Sequence, residues 1–357
     1  MREINNRDQI GSALVVTVLV LVILSILGTA ALTMTNSELL IARNVKLKSK
    51  AFYMAEAGIE KACSLIQDVN GSLDNGSYVA KVNGPYKIQN ATNASSIWDI
   101  YEFTVNSTGY YADAREDIHI KGHLKKLPLN SDASLAIYTQ GANATAEATT
   151  QGNPLLDGND YGLPDSFECS GADCNMASPL LNGNSTNGLY MDQGSVEIKG
   201  AAEITPGTKV GNGTYSNDYW KNMAEELTPL ADNVLNGSIS DNLILGTREE
   251  PQVTVFEDSA KLSGTVNGAG ILIVEGNAQC TGNFHFEGQV IILGNENEEI
   301  KLFSAGTPYI YGSIAVAGSP NAWVNIKGNA SLKYSQLALE NAGNINKLIE
   351  RKYWREM

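Results

Sequence analysis

No charged side chain occurs between Asp8 and Glu38, although charge is present on both sides of that gap. Charge is thin throughout, at 18% of 357 residues, aromatics reach 7%, and Pro occurs 10 times against 34 Gly. Little Pro with much Gly excludes a Pro-rich disordered chain and points to a β-rich body with many tight turns. A long basic stripe is also missing. Residues 1–126 hold 13 basic and 12 acidic side chains, whereas residues 127–357 hold 12 and 27. That balance leaves nothing to neutralise a row of phosphates, and nucleic acid is excluded as a partner. Neither a P-loop nor a dinucleotide fingerprint nor a nucleophile–base pair is present, so the chain reads as non-enzymatic. Its length allows two domains, and its acidity suits a body that stays soluble outside the cell.

What fills the uncharged gap is Leu, Val, Ile and Ala from Ala13 to Leu32, interrupted only by Thr17, Ser25, Gly28 and Thr29. Twenty such residues cross a bilayer core of roughly 30 Å as a helix. The pattern then turns amphipathic, with Ile41, Val45, Phe52, Ala55, Ile59, Ala62, Ile66 and Val69 at helical spacing. Residues 12–69 therefore read as one helix, stopped at Asn70-Gly71. By the charge count alone, Arg43, Lys46, Lys48 and Lys50 after the span favour an orientation with that side inward.

A leader ending in Gly11, the start Ser12-Ala13-Leu14-Val15-Val16 and the stretch Ala55-Glu56-Ala57-Gly58-Ile59 together resemble type IV pilin-like proteins, and more narrowly PilX-type minor pilins. The resemblance implies cleavage between Gly11 and Ser12 by a prepilin peptidase in the bacterial inner membrane, with Ser12 as the new, methylated terminus. The helix then packs among other major and minor pilins, with the carboxy-terminal side in the periplasm before assembly. Gly28 permits close helix approach there. Most pilins carry Glu at the fifth mature position; Val16 stands there in this chain, which disfavours a repeating subunit, because a buried amino terminus left unpaired is costly. The tip pseudopilin of type II secretion shares that departure and is the alternative within the family.

The resemblance and the patterning divide the chain into a leader (1–11), membrane half (12–35), amphipathic half (36–70), small antiparallel β layer (77–126), and a body (130–340) with a helical insertion (216–235) and a terminal helix (337–354). The expected fold class is α+β. In the β layer, strands are expected over 78–82, 86–89, 100–107 and 116–124, with Asn83-Gly84-Pro85 as a turn. In the body, Gly264, Gly270, Gly276, Gly282, Gly288 and Gly294 fall six apart, and Gly306, Gly312 and Gly318 resume the beat. Short apolar strands between turn glycines at a fixed step predict a parallel β-solenoid, with Gly264, Gly282 and Gly318 at one corner. Bodies of that kind, which also act on polysaccharides elsewhere, make a membrane-anchored polysaccharide-binding or polysaccharide-cleaving protein the alternative of another class.

Three candidate sites remain. Cys169 and Cys174 bracket a four-residue loop and suit a local disulfide in an oxidising compartment. Cys63 and Cys280 read as buried thiols. Asp157, Asn159 and Asp160, with Asp165, offer oxygen ligands for Ca²⁺ but break the EF-hand pattern at Tyr161; no other cofactor is expected. Glu296, Glu298 and Glu299 sit in one turn with Asn295 and Asn297, as in an exposed loop.

Overall fold

The computed structural model describes the chain apart from residues 1–5, 66–70, 92–96, 140–143, 168–176, 178, 181–182, 281, 295–298, 303–306, 319, 346–348 and 357. Two compact units result. One comprises Met1–Pro85, Glu102–Gly122 and Arg351–Met357, and the other Tyr86–Tyr101 and His123–Glu350.

Helix α1 runs unbroken over Asn6–Ser64, 59 residues and hence about 90 Å. Its buried stripe is Ala51, Ala55, Ile59 and Ala62. Ile41 and Val45, expected on that stripe, are exposed; Ile66 and Val69 lie outside the described residues. Small residues define the stripe because backbone comes very close to it. A Cβ at Gly109 would strike the Ala51 carbonyl and the Ala55 backbone, and one at Gly58 would strike Ser107 and Tyr78. The strands that follow are β1 (Gly71–Asp74), β2 (Tyr78–Gln89), β3 (Asp99–Tyr111) and β4 (Ala114–Lys126). They form a small antiparallel sheet in that order, extended beyond β4 by the last strand of the chain. Ile118, Ile120 and Leu124 are buried on alternate positions of β4, as a one-faced strand requires.

The mostly-β body consists of parallel strands. In chain order they are β5 (Ala133–Ile137), β6 (Ala146–Gly152), β7 (Leu155–Asp157), β8 (Asn187–Met191), β9 (Ser195–Ile198), β10 (Glu203–Thr205) and β11 (Thr208–Val210). After helix α2 (Asn217–Leu227) come β12 (Asn233–Leu235), β13 (Ser238–Ile239), β14 (Leu243–Leu245), β15 (Gln252–Phe256), β16 (Ala260–Leu262) and β17 (Thr265–Val274). The series ends with β18 (Ala278–Cys280), β19 (Asn283–Leu293), β20 (Glu299–Leu302), β21 (Thr307–Ala317), β22 (Ala322–Gly328) and β23 (Ser331–Lys333). Helix α3 (Gln336–Gly343) and strand β24 (Ile349–Glu356) complete the chain.

One ladder runs β12-β15-β17-β19-β21-β5-β8-β11, and another β14-β17-β19-β21-β23-β7-β10. Shorter ladders are β13-β16-β18 and β20-β22-β6-β9. Neighbour order in space is thus not chain order. The early strands β5, β6 and β7 join the late strands β21, β22 and β23, and α2 lies on the connection between opposite ends of the first ladder. That helix is held by Trp220, Met223 and Leu227 in a buried layer with Ala136, Tyr190, Ile271, Ile291 and Ala315. Leu272, Val274, Ile292 and Val316 face the other way, into the main core. Burial on both faces explains why these strands read as continuous apolar runs.

The glycine beat has a structural counterpart. Gly270, Gly288 and Gly312 are register partners in mid-strand, at φ +125°, +139° and +133°. Gly282 lies over the Gly264 carbonyl, but Gly318 sits beside Leu293 and does not join them. The step from Gly270 to Gly288 is 18 residues and the next, to Gly312, is 24, so the six-residue beat survives while its phase moves.

Two expected helical elements differ. The insertion 216–235 is helical only over Asn217–Leu227, capped by Ser216, plus one 3₁₀ turn Thr228–Leu230 led by Pro229; Asn233–Leu235 is already a strand. The terminal stretch 337–354 is a short helix, α3, and then strand β24 beside β4. The free edge of the small sheet offers Ile349–Glu356 a ladder partner that a lone terminal helix would lack.

Candidate functional site: the amino-terminal helix and a polar row on the body

From Leu14 to Met34 the surface of α1 is apolar and exposed: its mean hydropathy reaches 2.8 with none of that window buried. Val16 is 57% exposed, and a Cβ on Gly28 would meet nothing within 4 Å. An aqueous monomer cannot carry such a surface; lipid or other helices must cover it. The hydroxyls in the run are closed onto the helix itself. Ser25 donates to the Leu21 carbonyl at 2.8 Å, Thr29 to Ser25 at 2.8 Å, Thr33 to Thr29 at 3.0 Å and Ser37 to Thr33 at 2.9 Å. These four hydroxyls are thereby satisfied within the helix.

Gly11 and Ser12 lie in the first turns of the helix. The Ala55-Glu56-Ala57-Gly58 box lies near its far end and is split by face. Ala55 and Gly58 are buried against the sheet, while Glu56 and Ala57 are exposed. The box therefore holds a helix–strand contact and leaves one carboxylate outward.

The body carries a second polar arrangement that sequence reasoning missed. Glu287, Tyr311, Lys333 and Asp157 are successive register partners across β19, β21, β23 and β7. Glu287 is 2% exposed and accepts from Arg248 Nε and Nη2, both at 2.6 Å, and from His285 Nε2 at 2.8 Å. Arg248 also donates to the Pro164 carbonyl at 2.6 Å. Lys333 lies 4.5 Å from the Tyr161 ring centroid and 5.4 Å from that of Tyr311. The signal for this row was in the beat: Glu287 and Tyr311 each stand immediately before one of the aligned glycines.

The calcium candidates belong to the same neighbourhood. Asp157 accepts from Tyr161 Oη at 2.6 Å and from Asn159 N and Nδ2 at 2.9 and 2.8 Å. Asp160 accepts from the backbone of Gln336 and Asn184 at 2.9 and 3.1 Å. Donors of the chain itself thus engage both carboxylates, and among the described residues no three His, Cys, Asp or Glu gather as a metal site. Cys169, Cys174 and residues 296 and 298 lie outside the described residues. Cys63 and Cys280 are buried.

Burial pushes the Lys333 ammonium down to about 8, opposed by the Asp157 carboxylate. The unfolded chain would hold that proton up to about 10.4. Between those values the unfolded state binds more protons, so this group adds stability as pH rises. Burial pushes the Cys280 thiol up to about 11, which acts in the opposite sense above the ordinary thiol value of about 8.5. Comparing wild type with Lys333→Met isolates the lysine. Urea midpoints of the full chain should rise with pH for wild type relative to the variant through this window; parallel curves would contradict it.

Residues 11–60 match the family model described as PilX N-terminal, so the amino-terminal segment is type IV pilin-like. A solved structure, the competence-associated pilin ComZ from Thermus thermophilus, is similar at 13% identity and a TM-score of 0.23, covering 87% of this chain and 97% of that chain. At that level the likeness bears on neither fold nor function. No curated protein matches.

Proposed function

We propose that this chain, whose amino-terminal segment is type IV pilin-like, is a minor pilin of a type IV pilus-like filament. The observation that carries the reading is the fully exposed apolar length of α1 coinciding with the PilX N-terminal match. Prepilin peptidase cuts between Gly11 and Ser12. The helix holds the chain in the inner membrane and then moves sideways into a filament core beside other pilins, where apolar helices replace lipid. The far half of α1 carries the small sheet, and a parallel β-solenoid body is displayed outward; the stacked parallel ladders and the aligned glycines support that reading of the body. The role is structural, in priming, tip formation or display, rather than catalytic.

Val16 favours a place at or near a filament end, since it offers no carboxylate to a neighbour's amino terminus. The same residue supports a second reading, the tip pseudopilin of a type II secretion system. Amino-terminal sequencing of protein from sheared surface filaments tests the first. Ser12 is expected as the first residue, and recovery only from membranes with Met1 intact would sink the proposal. Processed protein confined to the envelope would favour the pseudopilin.

A further inference from the structure

We infer that the groove between α1 and the β3–β4 turn binds the headgroup of an anionic phospholipid. The groove has a volume of about 530 Å³, within the usual range for ligand sites of roughly 300–1,000 Å³. Its helix wall presents Leu40, Arg43, Leu47 and Lys48, the turn contributes Asp113, and the start of β4 contributes Arg115. Three cations face one carboxylate, and Leu40 and Leu47 supply the apolar side that an acyl chain needs.

Position selects the occupant. Arg43 lies nine residues beyond Met34, about 14 Å along the helix. Apolar side chains stay exposed through Leu39, Leu40, Ile41 and Val45. With Leu14–Met34 in the hydrocarbon, the groove begins at Leu40 about 9 Å past its edge, so its long basic side chains stand on the water side of the phospholipid phosphates. This placement rests on the membrane-spanning reading of α1 given above.

The groove's charges are available to a phosphate. Arg43 has no ion pair among the described residues. Lys48 pairs with Glu116 at 3.3 Å and Arg115 with Asp117 at 2.9 Å, with the two cations 68% and 62% exposed. Such pairs contribute about 0–1 kcal/mol and exchange readily for a better anion. Nearby, Lys50 donates to Tyr111 Oη at 2.7 Å, and its hydrogen bond, then the charges of Lys50 and Lys46, lower the Tyr111 hydroxyl. Arg43, Lys46, Lys48, Lys50 and Arg115 stand in this region against Asp113, Glu116 and Asp117, so cations outnumber carboxylates. Cations that a charge count places on the wrong side of the span acquire a role here: they hold lipid on the body side and fix how far α1 sinks.

The test uses the full chain in detergent, offered equal amounts of phosphatidylglycerol and phosphatidylcholine, with retained lipid read by native mass spectrometry. Phosphatidylglycerol should be retained in preference, and Arg43→Gln/Arg115→Gln should lose the preference by roughly five-fold per cation removed, equivalent to about 1 kcal/mol each. Equal retention of the two lipids, or a preference unchanged in the double variant, overturns the proposal. So does displacement of the lipid by inorganic phosphate, which would make the groove a free-phosphate site. Circular dichroism checks that the surface variant is folded. Flotation with vesicles separates the two readings: a chain that does not float contradicts the membrane-spanning helix, whereas one that floats without lipid preference contradicts the groove alone.

Discussion

Gly288→Val is expected to destabilise the body by more than about 4 kcal/mol, a large share of the roughly 5–15 kcal/mol that holds an ordinary domain together. Two costs add. At φ +139° a β-branched residue is strained by on the order of 1–3 kcal/mol. Its Cβ would also collide with the Gly270 carbonyl and approach the Ala342 methyl at 3.0 Å, so either the neighbouring strand or α3 must move. Neither can move alone. Gly288 is paired on one side with Gly270 and on the other with Gly312, and β21 in turn carries β5. A shift at this position is therefore passed along the ladder. Gly207→Ala is the control: its φ is +148° but nothing lies within 4 Å of its Cβ. It should show the backbone cost without the collision. Urea unfolding of the full chain, followed by tryptophan fluorescence, reads both. Similar midpoints for Gly288→Val and Gly207→Ala would mean that the glycines are not stacked as described.

The long helix was legible because lipid and core both impose helical spacing on apolar residues, and the absence of Gly and Pro between Thr29 and Ala57 leaves it no stop. The place where its buried stripe begins was not legible. Ala51 is buried through the close approach of Gly109, 58 residues later, and no local pattern in the helix announces that. Asn83-Gly84-Pro85 looks like a turn yet lies inside β2. Among the described residues β1 pairs with Val79–Val82 and no described strand pairs with that side of β2 at Pro85, where a residue without an N–H is tolerated. The six-residue beat revealed stacked glycines, since a close backbone approach between aligned strands demands them. It could not reveal which strands are neighbours. Periodicity reports the step along one chain, whereas the joining of β5, β6 and β7 to β21, β22 and β23 is a contact across more than 150 residues. Of the polar row, Asp157 was visible as an acidic loop residue, but Lys333, its register partner on the next strand, lies 176 residues further along the chain. The Asp157 carboxylate also accepts from Asn159 and Tyr161 of its own loop, so a cation there would share it with those donors.

Glu287→Ala should cost about 3–5 kcal/mol, because it leaves the Arg248 guanidinium and the buried His285 ring without the carboxylate they share. The magnitude follows from the asymmetry of buried ion pairs. Bringing the charges out of water is expensive, the attraction between them roughly offsets that expense, and deleting one partner keeps the expense alone. Two companions distinguish this from simple loss of volume. Glu287→Gln retains the shape and one acceptor oxygen and should cost less than Ala. The double change Arg248→Met/Glu287→Leu removes both charges and keeps apolar bulk, and it should cost less than Glu287→Ala even though more is changed. With the single changes Arg248→Met and Glu287→Leu added, urea midpoints of the full chain close the cycle, and a coupling energy near zero would show that the pair is not a unit. A local readout accompanies the global one. Arg248 also donates to the Pro164 carbonyl, and Phe167 packs edge-on against His285 at 6.1 Å between centroids. If Glu287 is what holds Arg248 in place, its loss should expose the segment around Pro164 and Phe167 to limited proteolysis under conditions where the rest of the body still resists. Cleavage no faster than in wild type would mean that the segment is held by other contacts, such as those of Asp157 and Asp160, and that the carboxylate serves the sheet alone.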